Sequence, residues 1–148
     1  MSLTVQLMEK LEAAFEAVTV TDLTQPDRTA YQVVDELAAT EYPQHKIHMG
    51  VSVWVGRSEN GQVFRDKVSG QARDEYALIV QCLLEVDPHE RRKTRNSMLL
   101  HDEQLQATVL GVDILEPLWR LFWEDTRFTR TRADEHIVIT QTYTAKIQ

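Results

Sequence analysis

The sequence predicts an α+β protein in which helices pack on a mainly antiparallel sheet and the chain closes with a C-terminal β-hairpin. Three features lead to that class. Apolar residues recur at helical spacing over 4–18, strict alternation runs over 46–56, and two β-rich stretches joined by a short polar connection end the chain.

Taken in order, 4–18 is the first predicted helix. Leu7, Met8, Leu11, Ala14, Phe15 and Val18 fall on one stripe, with Glu9, Glu12 and Glu16 off it, as in a helix that turns one face to a core. A turn follows at Thr24-Gln25-Pro26-Asp27. The next piece is ambiguous. Ala30, Val33, Val34, Leu37 and Ala38 fit a helix opened by Pro26, whereas Ala30-Tyr31-Gln32-Val33-Val34 fits the start of a buried strand. Within 46–56, Ile47, Met49, Val51, Val53 and Val55 alternate with His48, Gly50, Ser52, Trp54 and Gly56, the period of two of a strand. Ser58-Glu59-Asn60-Gly61 supplies a turn, after which 62–68 is expected to pair back.

Over 72–86 the spacing of Ala72, Tyr76, Ile79, Val80, Leu83 and Val86 predicts a second helix. Asp87-Pro88 ends it, because a residue before proline is driven out of the helical region. Residues 89–112 read as irregular or partly helical, and Glu116-Pro117 opens a short helix through Trp123. The closing hairpin joins TRFTRTR to HIVITQTYTAKI through Ala133-Asp134-Glu135. In its last strand Ile137, Ile139, Tyr143, Ala145 and Ile147 share one face, and Val138, Thr140, Thr142, Thr144 and Lys146 the other.

At 148 residues the chain is the size of one domain, 1–148, without repeats or linkers. Its apolar fraction of 43% and charged fraction of 26% are those of an ordinary globular protein. Cys82 is the single cysteine, which rules out an internal disulfide and suits a reducing compartment. The opening MSLTVQLMEKLEAAF carries Glu9, Lys10 and Glu12, unlike a signal peptide, and no apolar run is long enough to span a membrane. A soluble protein without membrane contact is expected. The net charge of −7 is concentrated at one end: 1–42 holds Lys10 and Arg28 against eight acidic residues, while 43–148 is nearly neutral. An acidic chain is repelled by phosphates, so no specific nucleic-acid binding is expected.

Motifs that carry chemistry are missing from the sequence. The glycines at 50, 56, 61, 70 and 111 never cluster as a phosphate loop requires, and nucleophile-elbow, HExxH and CxxC patterns do not occur. His45 and His48 read as surface histidines, and Cys82 as a small buried hydrophobe on the 72–86 helix. No catalytic, cofactor-binding or metal-binding residue is assigned, and the chain is expected to be a non-enzyme. Three groups remain as candidates for subunit or partner contacts. They are the basic run Arg91, Arg92, Lys93 and Arg95; the aromatic cluster bounded by Trp119 and Trp123; and Arg127, Arg130 and Arg132 on the first strand of the hairpin.

An N-terminal helix, the strand HKIHMGVSVWVG, the helix ARDEYALIVQCLL and the ending TRFTRTRADEHIVITQTYTAKI together resemble the tail terminator and head–tail joining (neck) proteins of tailed bacteriophages. That resemblance favours a strand at 30–34. It implies a structural virion protein that forms a ring, typically a hexamer, caps the tail tube and joins it to the head-completion or connector protein. Its place would be the tail or neck of a virion assembled in the bacterial host cytoplasm, with no cofactor. Two other classes fit a small acidic α+β chain: a cytosolic chaperone or adaptor of the secretion-chaperone type, and a small-ligand-binding domain with a pocket around Trp54, Tyr143 and the 119–123 aromatics.

Overall fold

The computed structural model describes residues 3–34, 48–57, 64–65, 72–73, 75–112, 119–130 and 135–147. Along them run α1 (Leu3–Ala17), β1 (Gln32–Val33), β2 (Gly50–Arg57), β3 (Phe64–Arg65), β4 (Ala72–Arg73), β5 (Glu75–Glu85), α2 (Arg91–Leu110), β6 (Trp119–Arg130) and β7 (His136–Ile147). Five of the strands form one sheet in the order β1-β2-β5-β7-β6, antiparallel except for the β1–β2 pair. This is the expected α+β class, with β6 and β7 as the closing hairpin.

Helix α1 forms where the periodicity places it, and its stripe buries Leu7, Leu11 and Phe15. It lies over β1 and β2, while α2 lies beside it and toward β6. Both helices cover the same sheet face. In register across that face run Val53, Val80 and Gln141, then Val51, Cys82 and Ile139, then Val55, Leu78 and Tyr143, and the helices close over them with Leu105 and Val109 from α2. The short strand β1 fits the 30–34 expectation. Strand β2 begins at Gly50 because Met49 takes a left-handed backbone step (φ 62°). That step breaks the alternation, so the consecutive residues His48 and Met49 are both buried.

Three expected elements are replaced. The helix expected over 72–86 is instead β4 and the long strand β5, which sits between β2 and β7 at the centre of the sheet. Leu78, Val80, Cys82 and Leu84 are buried under the helices, and Leu83 is buried on the opposite face. A strand apolar on both faces loses its period of two, and its continuous apolar run matches a helical template equally well. Cys82 is buried as expected, but on a strand.

The short helix expected through Trp123 is also absent, since Trp119–Trp123 opens β6. That strand pairs with β7 from Trp119↔Ile147 to Arg130↔Ile137, with a register shift between Trp123 and Asp125 that leaves Glu124 as an extra residue. Aromatic residues suit a strand, and pairing along the whole of β7 decides the matter. Conversely, 89–112 is mostly the 20-residue helix α2. Its buried positions Thr94, Ser97, His101, Leu105 and Val109 keep helical spacing, but the first three are polar, so the stripe is invisible to a hydrophobic pattern. Strand β3 pairs with β4 and not back onto β2. The turn at 58–61 lies outside the described residues.

Candidate functional site

Beneath α2 the fold buries a carboxylate. Asp22 is 1% exposed, yet its two oxygens accept five hydrogen bonds. His101 Nε2 (2.7 Å) and Ser97 Oγ (2.9 Å), both from α2, donate to Oδ1. His48 Nε2 (2.9 Å), Thr24 Oγ1 (2.9 Å) and the Gln25 backbone N–H (2.7 Å) donate to Oδ2. Burial by itself raises a carboxyl pKa; here the bonds from His101, His48, Ser97 and Thr24 outweigh it and hold Asp22 well below the carboxylate range.

The partners of the rings fix their tautomers. His48 Nδ1 accepts the Glu85 backbone N–H at 2.9 Å, which leaves the ring proton on Nε2 facing Asp22. On His101, Nδ1 faces the Tyr31 hydroxyl at 2.6 Å. Burial pushes the Tyr31 phenol far up, so it stays protonated and donates. Tyr31, His101 and Asp22 therefore form a donor–acceptor relay closed to solvent, with Tyr31 4% exposed and His101 fully buried. The Nε2 atoms that face the carboxylate carry protons, which makes this a hydrogen-bonded node and not a ligand set. Among the described residues no group of three His, Cys, Asp or Glu is placed to hold a metal. The node ties the 20–31 segment to the start of β2 and to α2. Replacing Tyr31 by Phe is expected to cost about 1–2 kcal/mol, because His101 Nδ1 loses its short donor in a buried place and keeps only Gln104 Nε2 at 3.5 Å. Chemical denaturation should show that loss with an unchanged m-value.

His48 was expected at the surface; it is 3% exposed, drawn inward by the left-handed step at Met49. His45 lies outside the described residues. Sequence reasoning missed Asp22, Ser97 and His101, which stand 75 and 79 positions apart in the chain. The one available signal was that Thr94, Ser97 and His101 continue the Leu105–Val109 stripe at helical spacing.

A second feature is open to solvent. Where the first turns of α2 meet the end of β6, a groove of about 190 Å³ is lined by Val86, Arg91, Thr94, Arg95, Met98, Phe128, Arg130 and Ile137. Two of the expected contact groups thus converge: Arg91 and Arg95 from the basic run stand beside Arg130 from the hairpin, around an apolar floor. The other candidates lie apart. Arg92 and Lys93 are exposed on the same helical turn, and Lys93 pairs with Glu90 at 3.4 Å. Arg127 lies on the opposite sheet face, where its Nε meets Asp125 at 3.0 Å. Trp119 opens β6, and Arg132 lies outside the described residues.

Trp123 is anchored and still 46% exposed. Its Nε1–H donates to Thr126 Oγ1 (2.9 Å), which donates to Asp102 Oδ1 on α2 (3.0 Å). Gln141 Nε2 donates to the same Asp102 oxygen (2.7 Å), and the Tyr143 hydroxyl donates to Gln141 Oε1. Tyr143 is thus fully buried in the core and lines neither groove nor surface, which removes it from the ligand pocket considered for it.

No protein-family model matches the chain, and no curated protein matches it. Among solved structures, the chain is similar to one from a virion of a native gene transfer agent particle, with 12% identity over 97% of this chain and 90% of that one and a TM-score of 0.47. That likeness is distant, and no role follows from it.

Proposed function

We propose that this protein is a structural subunit of a tailed-phage-type virion, a ring-forming tail terminator that caps the tail tube and joins it to the head connector. The observation that carries the assembly reading is β6. It is a 12-residue strand at the end of the sheet order, and Phe122, Trp123 and Phe128 on it are exposed by 38%, 46% and 41%. An edge strand offers its outer backbone groups to another chain, and exposed aromatics set among arginines have the composition of interface hot spots. The N-terminal helix and the closing hairpin support the terminator form of that reading; the helix that the resemblance placed at ARDEYALIVQCLL is strand β5, and a helix before the hairpin is supplied by α2.

Light scattering after size exclusion, with negative-stain images of the same peak, tests it. A ring, typically of six, is expected, and a Trp123→Ala/Phe128→Ala variant should assemble at least about tenfold more weakly. A dimer would overturn the ring and favour an adaptor of the chaperone type. A protein that stays monomeric even with purified tail tubes present would overturn assembly altogether.

A further inference from the structure

We infer that the groove between α2 and β6 is the socket of a head-to-tail contact, and that its occupant is the outer face of α1 from a second copy of this chain. This deepens the assembly reading and rests on it. The groove has a cationic rim. Arg91, Arg95 and Arg130 line it, and Arg92 and Lys93 stand on the same turn. That turn is also the positive end of a 20-residue helix dipole with no acidic residue in its first turn, and its N-cap Glu90 makes no capping hydrogen bond. Basic side chains therefore outnumber acidic ones at a place where a helix normally carries negative charge, Glu90 being paired with Lys93 at 3.4 Å. Met98, Phe128, Val86 and Ile137 give the groove an apolar floor, so the best occupant presents carboxylates beside apolar surface. A groove of about 190 Å³ is too small for a typical ligand pocket of roughly 300–1,000 Å³, but it takes side chains projecting from a helix.

The outer stripe of α1 has that chemistry. Val5, Glu9, Ala13 and Glu16 are all exposed and recur at helical spacing, so they share one face. Val5 is 43% exposed one turn from Glu9, and Ala13 keeps the stripe low enough for close approach. Two turns separate Glu9 from Glu16, roughly 10 Å along the axis, which spreads their charges over several guanidiniums. The charge imbalance points the same way: 1–42 carries eight acidic residues against two basic ones in a chain of net charge −7. Socket and stripe are different patches of one chain, and where they do not meet reciprocally across a two-fold axis their contact is heterologous, the kind that closes into rings when the rotation allows.

Charge reversal tests the contact in the full-length protein. One variant carries Glu9→Arg and Glu16→Arg, the other Arg91→Glu and Arg95→Glu. Each alone should associate about 100-fold more weakly than wild type, because like charges then face each other across the contact. Mixed in equal amounts, the two should recover assembly, since the reversed stripe of one meets the reversed socket of the other. Thermal melts should show both variants folded, as all four positions are exposed. Assembly of either variant at wild-type strength, or loss in both without recovery on mixing, overturns this contact and leaves the ring reading standing. A wild-type chain that never assembles overturns both. Recovery on mixing is the result that neither general charge effects nor misfolding would produce.

Discussion

Replacing Asp22 by alanine is expected to cost about 3–5 kcal/mol of folding stability, the scale seen when one member of a buried charged network is removed. The loss comes from what stays behind. His48 Nε2–H, His101 Nε2–H and the Ser97 hydroxyl would point into a space without an acceptor, and each buried unpaired donor costs about 1–3 kcal/mol. Three parts of the chain meet at this carboxylate, beside the Thr21–Gln104 and Arg28–His48 bonds that also join them, so the defect should loosen the 20–31 segment and the first half of α2 together. A melting temperature lower by roughly 10 °C is expected. A drop of less than about 3 °C would show that water satisfies the node and that it does not hold the fold.

The same residue sets an acid dependence whose sign is fixed. Asp22 is held below the ordinary carboxylate value in the folded state, so its contribution is fully present above the unfolded pKa, near pH 4. It is lost progressively as pH falls below that value toward the folded pKa. Denaturant midpoints of wild type and Asp22→Asn should therefore lie apart at neutral pH and converge as the pH is lowered below about 4. A separation that stays constant through that range would assign the stabilisation to packing and not to charge.

Phe15→Ala should also cost about 3–5 kcal/mol, the range for truncating a fully buried aromatic residue. Phe15 is 0% exposed and meets Tyr31 edge to face, with ring centroids 6.0 Å apart. It is the last anchor of a 15-residue helix that docks through Leu7, Leu11 and Phe15. A helix of that length is marginal alone, so its persistence depends on this packing. Hydrogen exchange in α1 should accelerate more than exchange in β5 and β7. Equal acceleration everywhere would mean that α1 opens only with the whole domain. Because Phe15 touches Tyr31, and Tyr31 donates to His101, the effects of Phe15→Ala and Tyr31→Phe should not add.

The parts of this fold legible in the sequence are those with one wet and one dry face. Helix α1 shows its stripe because Glu9, Glu12 and Glu16 separate it from solvent-facing positions, and β7 shows its period because threonines alternate with Ile137, Ile139, Tyr143 and Ala145. Such elements record their surroundings in their own pattern. Strand β5 carries apolar residues on both faces, with Ile79 and Leu83 opposite Leu78, Val80, Cys82 and Leu84, and so its pattern records no direction. Helix α2 turns Thr94, Ser97 and His101 inward; Thr94 pairs locally with the Asp87 backbone, whereas Ser97 and His101 find their acceptor in Asp22, far off in the chain. The same holds for contacts. Composition alone marks Arg91, Arg95 and Arg130 as separate basic patches, whereas the packing of α2 on β6 brings them around one apolar floor. By itself, then, the sequence determined the α+β class, the entry helix, the β2 strand, the closing hairpin and the uneven charge, all of them local patterns of polarity. Tertiary structure alone decided that 75–85 is a strand, that a buried carboxylate holds α2, and that three arginines share a groove, because each of these depends on partners that are distant in the chain.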